Sequence, residues 1–381
     1  MIDTGGAERL PRPAPRALPG GGDPGAQVRS WPVPAVITAA TRPERIAMRA
    51  PELTRAARIF VAGHRGLVGS ALCRRLLAEG YENLALAPSS EVDLRDRAAT
   101  ARYLAEQVPD VVVLAAGRGG GIAAATAHPA DILSDNLRIQ LSVLDAARTV
   151  GVPRLLFLGS ARLYPRDSRQ PIRETSLLSG PLEPTAQAYA LGKLAGIAHV
   201  RAVREQEGLP WIVAMPATLY GPGDNFHPTR AHVLAALLRR FHEATVSGAP
   251  AVTVWGTGTP RREFLHSDDL ADACIALLAG YDGAEPVNVG TGRDISVADL
   301  ARMIADTVEY PGAIEFDPTR PDGVPRKVLD TGTLAGLGWQ PRVRLRAGIA
   351  ATYRWYLDSL TLPRQRVAAR DHEGVPVNPM G

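Results

Sequence analysis

Arg58-Ile-Phe-Val-Ala-Gly-His-Arg-Gly-Leu-Val-Gly69 is the stretch that decides the fold. Arg58 to Ala62 is an apolar run of strand length, and Gly63 to Gly69 is a glycine-rich turn. Val68, Leu72 and Leu76 then recur every four residues, as on the buried face of a helix. Strand, glycine turn and helix in that order form the dinucleotide fingerprint. The glycines let the backbone approach a pyrophosphate, which rests on the helix N-terminus. The spacing is Gly-x-x-Gly-x-x-Gly; a glycine turn alone is often only a turn, and here the flanking strand and helix supply the context. The chain is therefore read as α/β, a Rossmann-type doubly wound parallel sheet. Gly63, Arg65, Gly66, Leu67, Val68 and Gly69 are expected to line the cofactor.

The next strand, near Leu84 to Ala87, should end at the adenosine ribose, where an acidic residue favours NAD. The sequence instead reads Ala87-Pro88-Ser89-Ser90, and Arg65 in the glycine turn is placed to meet a 2′-phosphate, so NADP is expected. Val111 to Ala115 is a further buried strand leading into Gly117-Arg-Gly-Gly-Gly121, a loop where backbone can approach the cofactor. A helix is expected over Ile132–Val150, with Leu137, Leu141 and Leu144 on its apolar face.

Leu155-Leu-Phe-Leu158 ends in Gly159-Ser160, a buried strand that delivers a hydroxyl to the carboxyl edge of the sheet. Tyr189 and Lys193 lie four apart and so share one helix face. A tyrosine relays a proton to a carbonyl only if its phenol falls from about 10 towards neutrality, and a neighbouring ammonium favours that. Ser160, Tyr189 and Lys193 read as the acid/base set of a carbonyl reductase. A Tyr-x-x-x-Lys pair on a surface helix arises easily by chance. Among 43 basic residues, however, only Lys193 and Lys327 are lysine. Arginine cannot be deprotonated and presents a planar fork, so a site needing a compact ammonium would keep its lysine.

Residues 1–57 are rich in Pro, Gly, Ala and Arg without sustained periodicity and are read as a disordered extension. They carry eight Arg against five Asp or Glu, hence +3 of the chain's net +4, so the folded part is near neutral. The basic balance is no argument for nucleic acid. The expected layout is 58–222 for the nucleotide domain and 223–358 for a smaller, interleaved substrate region. Strand 287–290 returns to the first sheet, and 359–381 is a loose tail. The arginines around 239–262 suit a phosphate-bearing substrate, with a solvated face as the plainer alternative. Two cysteines, Cys73 and Cys274, fit a reducing cytosol; no Cys/His spacing suggests a metal, and no apolar run suggests a membrane span.

From Arg58 to about Leu357 the chain resembles the GDP-L-fucose synthase family, extended short-chain dehydrogenase/reductases. The resemblance rests on Gly63-His-Arg-Gly66, Leu182-Glu-Pro-Thr185, Leu219-Tyr-Gly-Pro222, Asp224-Asn-Phe-His227, Arg239-Arg-Phe-His-Glu-Ala244, Val254-Trp-Gly-Thr-Gly258, Arg262-Glu-Phe-Leu-His266 and Pro325-Arg-Lys327. It implies epimerisation of GDP-4-keto-6-deoxy-D-mannose at C3 and C5, then reduction of C4 by NADPH. It further implies His232 as the epimerisation acid and Arg240, Arg262 and Lys327 as GDP-binding residues. Thr218, Asn225 and Trp255 join them at the sugar-nucleotide site. It implies a cytoplasmic homodimer joined through Ile132–Val150 and the Tyr189 helix.

The departures are specific. Where the family writes Gly-Ser-Ser-Cys-Ile-Tyr-Pro, this chain writes Gly159-Ser-Ala-Arg-Leu-Tyr-Pro165, so Arg162 replaces the epimerisation base and joins the substrate-binding set. The NADPH-selecting arginine of the second strand is Ser89, and the family's asparagine before Leu219 is Thr218. The expectation is an NADPH-dependent reductase of a GDP-4-keto-6-deoxy sugar whose epimerase half is in question. The alternatives are a GDP-sugar reductase that never epimerises, an epimerase using another base, and a nucleotide-sensing scaffold without catalysis.

Overall fold

The computed structural model describes residues 52–120, 122–320 and 322–361. In chain order the elements are β1 (Ile59–Ala62), α1 (Leu67–Ala78), β2 (Leu84–Ala85), α2 (Arg97–Gln107), β3 (Val111–Leu114), α3 (Ile122–Ala127), α4 (Pro129–Thr149) and β4 (Arg154–Leu158). They continue with α5 (Gln187–Glu207), β5 (Ile212–Pro216), β6 (Thr218–Tyr220), α6 (Val233–Ser247), β7 (Ala251–Trp255), β8 (Arg261–His266), α7 (Ser267–Gly280) and β9 (Val287–Val289). The last are β10 (Asp294–Ser296), α8 (Val297–Val308), β11 (Ala313–Asp317), β12 (Arg326–Lys327), α9 (Gly332–Gly336) and α10 (Leu345–Thr361).

β1, β3, β4 and β5 are apolar along most of their length and buried at every position, as strands covered on both faces by helices must be. They form an all-parallel sheet in the order β2-β1-β3-β4-β5-β9. The chain leaves β1 first to one side for β2 and then to the other for β3. The crevice therefore opens at the carboxyl ends of β1 and β3. A smaller layer is built on β8, which pairs with β10, β12 and β6, and on the parallel pair β7–β11. Leu237, Leu238 and Phe241 of α6, Val254 and Phe264, Leu300 and Ile304 of α8, and Ile349 of α10 form its core.

The interleaving expected from the sequence is present, since β9 pairs with β5. It goes further than expected, because α7 also returns and its Leu270, Cys274 and Leu278 join the core of the large sheet. Three boundaries are corrected. Glu52–Ala57 belongs to the folded body: Ala57 is buried, the Tyr81 hydroxyl donates to Leu53 O, and Arg55 lies over the Tyr81 ring. Thr218–Tyr220 pairs with β8, so the nucleotide layer ends before β6 rather than at 222. α10 runs to Thr361, past the expected start of a tail at 359. The rest of the expected extension and tail lies outside the described residues.

α4 begins at Pro129, earlier than expected. Ile132, Asn136, Gln140, Val143, Leu144 and Ala147 point inward, so Leu144 lies on the buried face as expected, while Leu141 is 48% exposed. Asn136, Gln140 and Ser142 are polar side chains on this buried face; Asn136 is bonded as described below, and Gln140 donates to Gly192 O while its Oε1 is left without a partner.

Arg154 locks the returning α7 to the sheet. Its side chain is 1% exposed, and it donates to Pro210 O and to Leu277 O, Leu278 O and Tyr281 O at 3.0, 3.1 and 2.5 Å. A guanidinium thus satisfies the carbonyls that end α7, at the cost of a burial that pulls its own pKa down to about 10. Arg154→Ala strands these acceptors in the core, and unfolding free energy in urea should fall by about 3–5 kcal/mol. An unchanged urea midpoint would contradict this role.

Candidate active site

The first turn of α1 has neither a side-chain cap nor an acidic residue, so its N–H donors and the positive end of its dipole face the crevice. Gly63 has φ +85°, and a Cβ there would lie 2.8 Å from the Ala116 backbone. A Cβ on Gly69 would lie 2.1 Å from Gly63 O. The turn is closed against α1 and the exit of β3 more tightly than any side chain permits, and this cradle fits a dinucleotide pyrophosphate. Ala115 N donates to Ala62 O at 3.0 Å, which fixes the floor of the crevice. Leu67 and Val68 open α1 beside it. Arg65 is exposed on the turn, and His64 next to it feels both Arg65 and Glu91. The glycine turn and the Pro88–Val92 turn are therefore neighbours. Ser89 sits exposed in that second turn, because β2 stops at Ala85.

Ser160 follows β4 in extended conformation, and its Oγ accepts from Arg162 N at 3.2 Å. Its hydroxyl also hydrogen-bonds the Tyr189 phenol from α5. Burial raises the phenol pKa, opposed first by the charge of Arg162 and then by the Ser160 hydrogen bond. Lys193, one turn on, behaves differently from expectation. Its Nζ donates to Leu158 O at 3.0 Å and sits 4.8 Å from the Phe157 ring centroid, and burial pushes its pKa down to about 8. The cation over the Tyr189 ring is Arg162, with Cζ 5.3 Å from the centroid.

Asn136 was not singled out from the sequence. Buried on α4, it donates to Arg118 O (2.9 Å) and Ile132 O (2.8 Å) and accepts from Arg118 N (2.8 Å), which fixes the loop at Gly117 and Arg118 near Lys193. The only signal it gave was a polar residue at a position that the helix turns inward.

The side of the cleft toward β8 and β12 gathers cations. Arg162 donates from Nη1 to Gly120 O at 3.0 Å, so it is held in the cleft and not turned to solvent. His232 is the N-cap of α6 without using its side chain as a cap, and burial together with Arg162 drives its pKa down to about 4. Lys327 on β12 is in register with Arg262 on β8. Burial, Arg262 and Arg162, in that order, bring its pKa down to about 8. Glu183, from the Leu182–Thr185 motif but given no role by sequence reasoning, is the carboxylate whose charge reaches Arg162, Arg262 and Lys327.

Arg240 reaches from α6 to Thr253 O on β7. Trp255 at the end of β7 is 61% exposed, with Arg320 5.1 Å from its ring centroid. Arg262 bonds Asp322 O at 3.5 Å, and Asp322 in turn holds Thr257 N at 2.7 Å, two residues beyond Trp255. Thr218 pairs across strands with Phe264, and Asn225 Oδ1 accepts from His227 N at 2.9 Å.

Residues 59–290 match the NAD dependent epimerase/dehydratase family. Over 306 residues, 80% of this chain and 95% of its relative, the sequence is 50% identical to GDP-L-fucose synthase 1 of Arabidopsis thaliana. The chain belongs to the GDP-L-fucose synthase family. It is also 46% identical to the GDP-L-fucose synthase of Escherichia coli over 311 residues, 79% of this chain and 97% of that one. Among solved structures it resembles a GDP-mannoheptose C4 reductase from Campylobacter jejuni with NADP bound. The TM-score is 0.75 and the identity 33%, covering 80% of this chain and 99% of that one. The NAD dependent epimerase/dehydratase match spans β1 through β9 and so takes in Ser160, Tyr189, Lys193, His232 and Arg262, while Lys327 lies beyond it.

In this member of the family the His232 imidazole should titrate near pH 4 rather than near 6.5, and Arg162→Gln should raise that midpoint by removing one of its two causes. Ring-nitrogen NMR across the acid range checks it, and an ordinary midpoint in the unmodified protein would refute the arrangement.

Proposed function

We propose that the chain is an NADPH-dependent reductase acting at C4 of a GDP-linked 4-keto-6-deoxymannose, and that it leaves C3 and C5 uninverted. The observation that carries this reading is Arg162, fixed in the cleft beside Tyr189 and His232 where the family's resemblance calls for a cysteine base. When bound, the cofactor supplies the hydride. The Gly63–Gly69 turn and the start of α1 hold its pyrophosphate, and Arg65 and Ser89 flank the 2′-phosphate. Arg262 and Lys327 hold the substrate diphosphate, with Arg240 and Trp255 at the outer end. Ser160 orients the C4 carbonyl oxygen, and Tyr189 gives its phenolic proton to the oxygen as negative charge develops there. Lys193 lies behind it as a buried, low-pKa ammonium.

Inversion next to a ketone needs one group to take a proton from one face and another to return one to the opposite face. A guanidinium cannot take the proton, and a histidine with a pKa near 4 carries no second proton to give at neutral pH. One neutral imidazole can remove and return a proton on a single face, which gives exchange without inversion. The second reading is a complete GDP-L-fucose synthase with its base elsewhere, favoured by the 50% identity to the Arabidopsis synthase. The homodimer is part of the proposal. α4 and α5 pack side by side and leave Leu141 and Leu191 48% and 46% exposed, surface that a second copy would cover.

Tyr189→Phe should lower substrate-dependent NADPH oxidation by about 100- to 10,000-fold while NADPH binding changes little. Near-normal turnover in that variant would overturn the assignment of the acid.

A further inference from the structure

We propose that Arg162 is a positioning residue that stabilises the phenolate of Tyr189 during proton transfer. The proposal rests on the reductase reading only in naming Tyr189 as the acid; the charge arrangement stands by itself.

The guanidinium lies over the face of the Tyr189 ring, Cζ 5.3 Å from its centroid. It is held there. Nη1 donates to Gly120 O at 3.0 Å, and the backbone N donates to Ser160 Oγ at 3.2 Å. The turn that carries it is pinned by the Tyr164 hydroxyl on Asn288 Oδ1 at 2.6 Å. The Lys193 ammonium gives one of its donors to Leu158 O at 3.0 Å and lies against the Phe157 ring, while the cation over the Tyr189 ring is Arg162. A positive charge this close to an ionisable group typically lowers an acid pKa by about 1–3 units.

The two cations also differ in kind. Lys193, with a pKa near 8, loses its charge first as pH rises; burial lowers the Arg162 guanidinium as well, but from a higher ordinary value. Arg162 is thus the cation that outlasts Lys193 as the phenol titrates.

The other charged groups around Tyr189 do not take this role. His232, at the start of α6, is neutral above about pH 4. Glu183, before the short turn Pro184–Ala186, faces Arg162 and carries the wrong sign. α4 packs along α5, but its Asp135 pairs with Arg118 and Arg95, and its Asp145 with Arg97 and His199. α3 is built of Ile, Ala and Thr and brings no titratable side chain. Lys327 acts on Arg162 from the diphosphate side and adds to the same positive field.

Arg162→Gln keeps a donor for Gly120 O and removes the charge, while Arg162→Lys keeps the charge and removes the fork. Ring-carbon NMR of labelled tyrosine in the NADP+-bound protein, with the Tyr189 signal assigned by its loss in Tyr189→Phe, reads the phenol directly. The midpoint should rise by about one unit or more in Arg162→Gln and stay within ~0.3 units of the unmodified protein in Arg162→Lys. The basic limb of kcat/KM for ketone reduction should move upward with it, because the protonated phenol is the active form. Equal midpoints in Arg162→Gln and the unmodified protein overturn the proposal, as does a phenol still protonated at about pH 11 in both. A shifted phenol without any ketone reduction would sink the proposed function and leave the electrostatic role standing. Reduction with an unshifted limb would do the reverse.

Discussion

The Tyr164 hydroxyl on Asn288 is the contact from which the catalytic half of the cleft hangs. Both side chains are fully buried, and the bond is 2.6 Å long. Asn288 lies on β9, the strand that returns from the substrate layer to close the large sheet. Its amide also donates to Ile172 O and Asp330 O at 2.9 and 3.0 Å. One side chain therefore ties together the turn bearing Ser160 and Arg162, the segment before Glu174, and the chain just after Lys327. The Glu263 carboxylate makes the companion junction, accepting from Thr291, Gly292 and Leu329 N–H groups between β8 and the loops beside it. Buried polar groups cost stability unless satisfied, and here their satisfaction holds two layers in register.

With that frame set, the cleft's chemistry follows from its charges. Arg162, Arg262 and Lys327 share one space, with Glu183 as the carboxylate common to all three and Asp322 beside Arg262. This imbalance suits a diphosphate. Arg162 also weighs on the protons nearest it: it adds to the burial that keeps His232 unprotonated, and it favours the ionised form of Tyr189 against burial. A thiol at position 162 would leave His232 less depressed and supply a base. The arginine removes the base and lowers the acid's pKa at once. In the proposed reading, one substitution disfavours inversion while assisting proton transfer to the C4 oxygen.

Much of this was legible in the sequence, and the reasons are local. The fingerprint at 58–69 was readable because backbone closeness demands glycine, and Gly63 and Gly69 are at van der Waals limits in the fold. The closeness of Ser160 and Tyr189 was readable because the strand end and the helix start bring them to one place. Less readable was anything decided by tertiary direction. Leu144 lies on the buried face of α4 as the period implied, but the inward turn of Asn136 and Gln140 depends on partners in Arg118 and Gly192 that periodicity cannot see. Lys193 was expected to polarise the phenol, but the carbonyl that captures its Nζ belongs to β4, far away in sequence. Glu183 could be quoted as part of a motif, yet its role emerges only when β8 and β12 bring Arg262 and Lys327 to it. The return of α7 hinges on Arg154, which in the sequence is merely the first residue of an apolar strand.

The central claim is that reduction proceeds here without inversion. Proton NMR of the sugar nucleotide formed from GDP-4-keto-6-deoxy-D-mannose and NADPH by the unmodified protein measures this directly through the ring couplings at C3, C4 and C5. The account predicts a D-configured GDP-6-deoxyhexose, with C3 and C5 as in the substrate. GDP-L-fucose as the main product would contradict it and would mean that a base other than residue 162 serves the cleft.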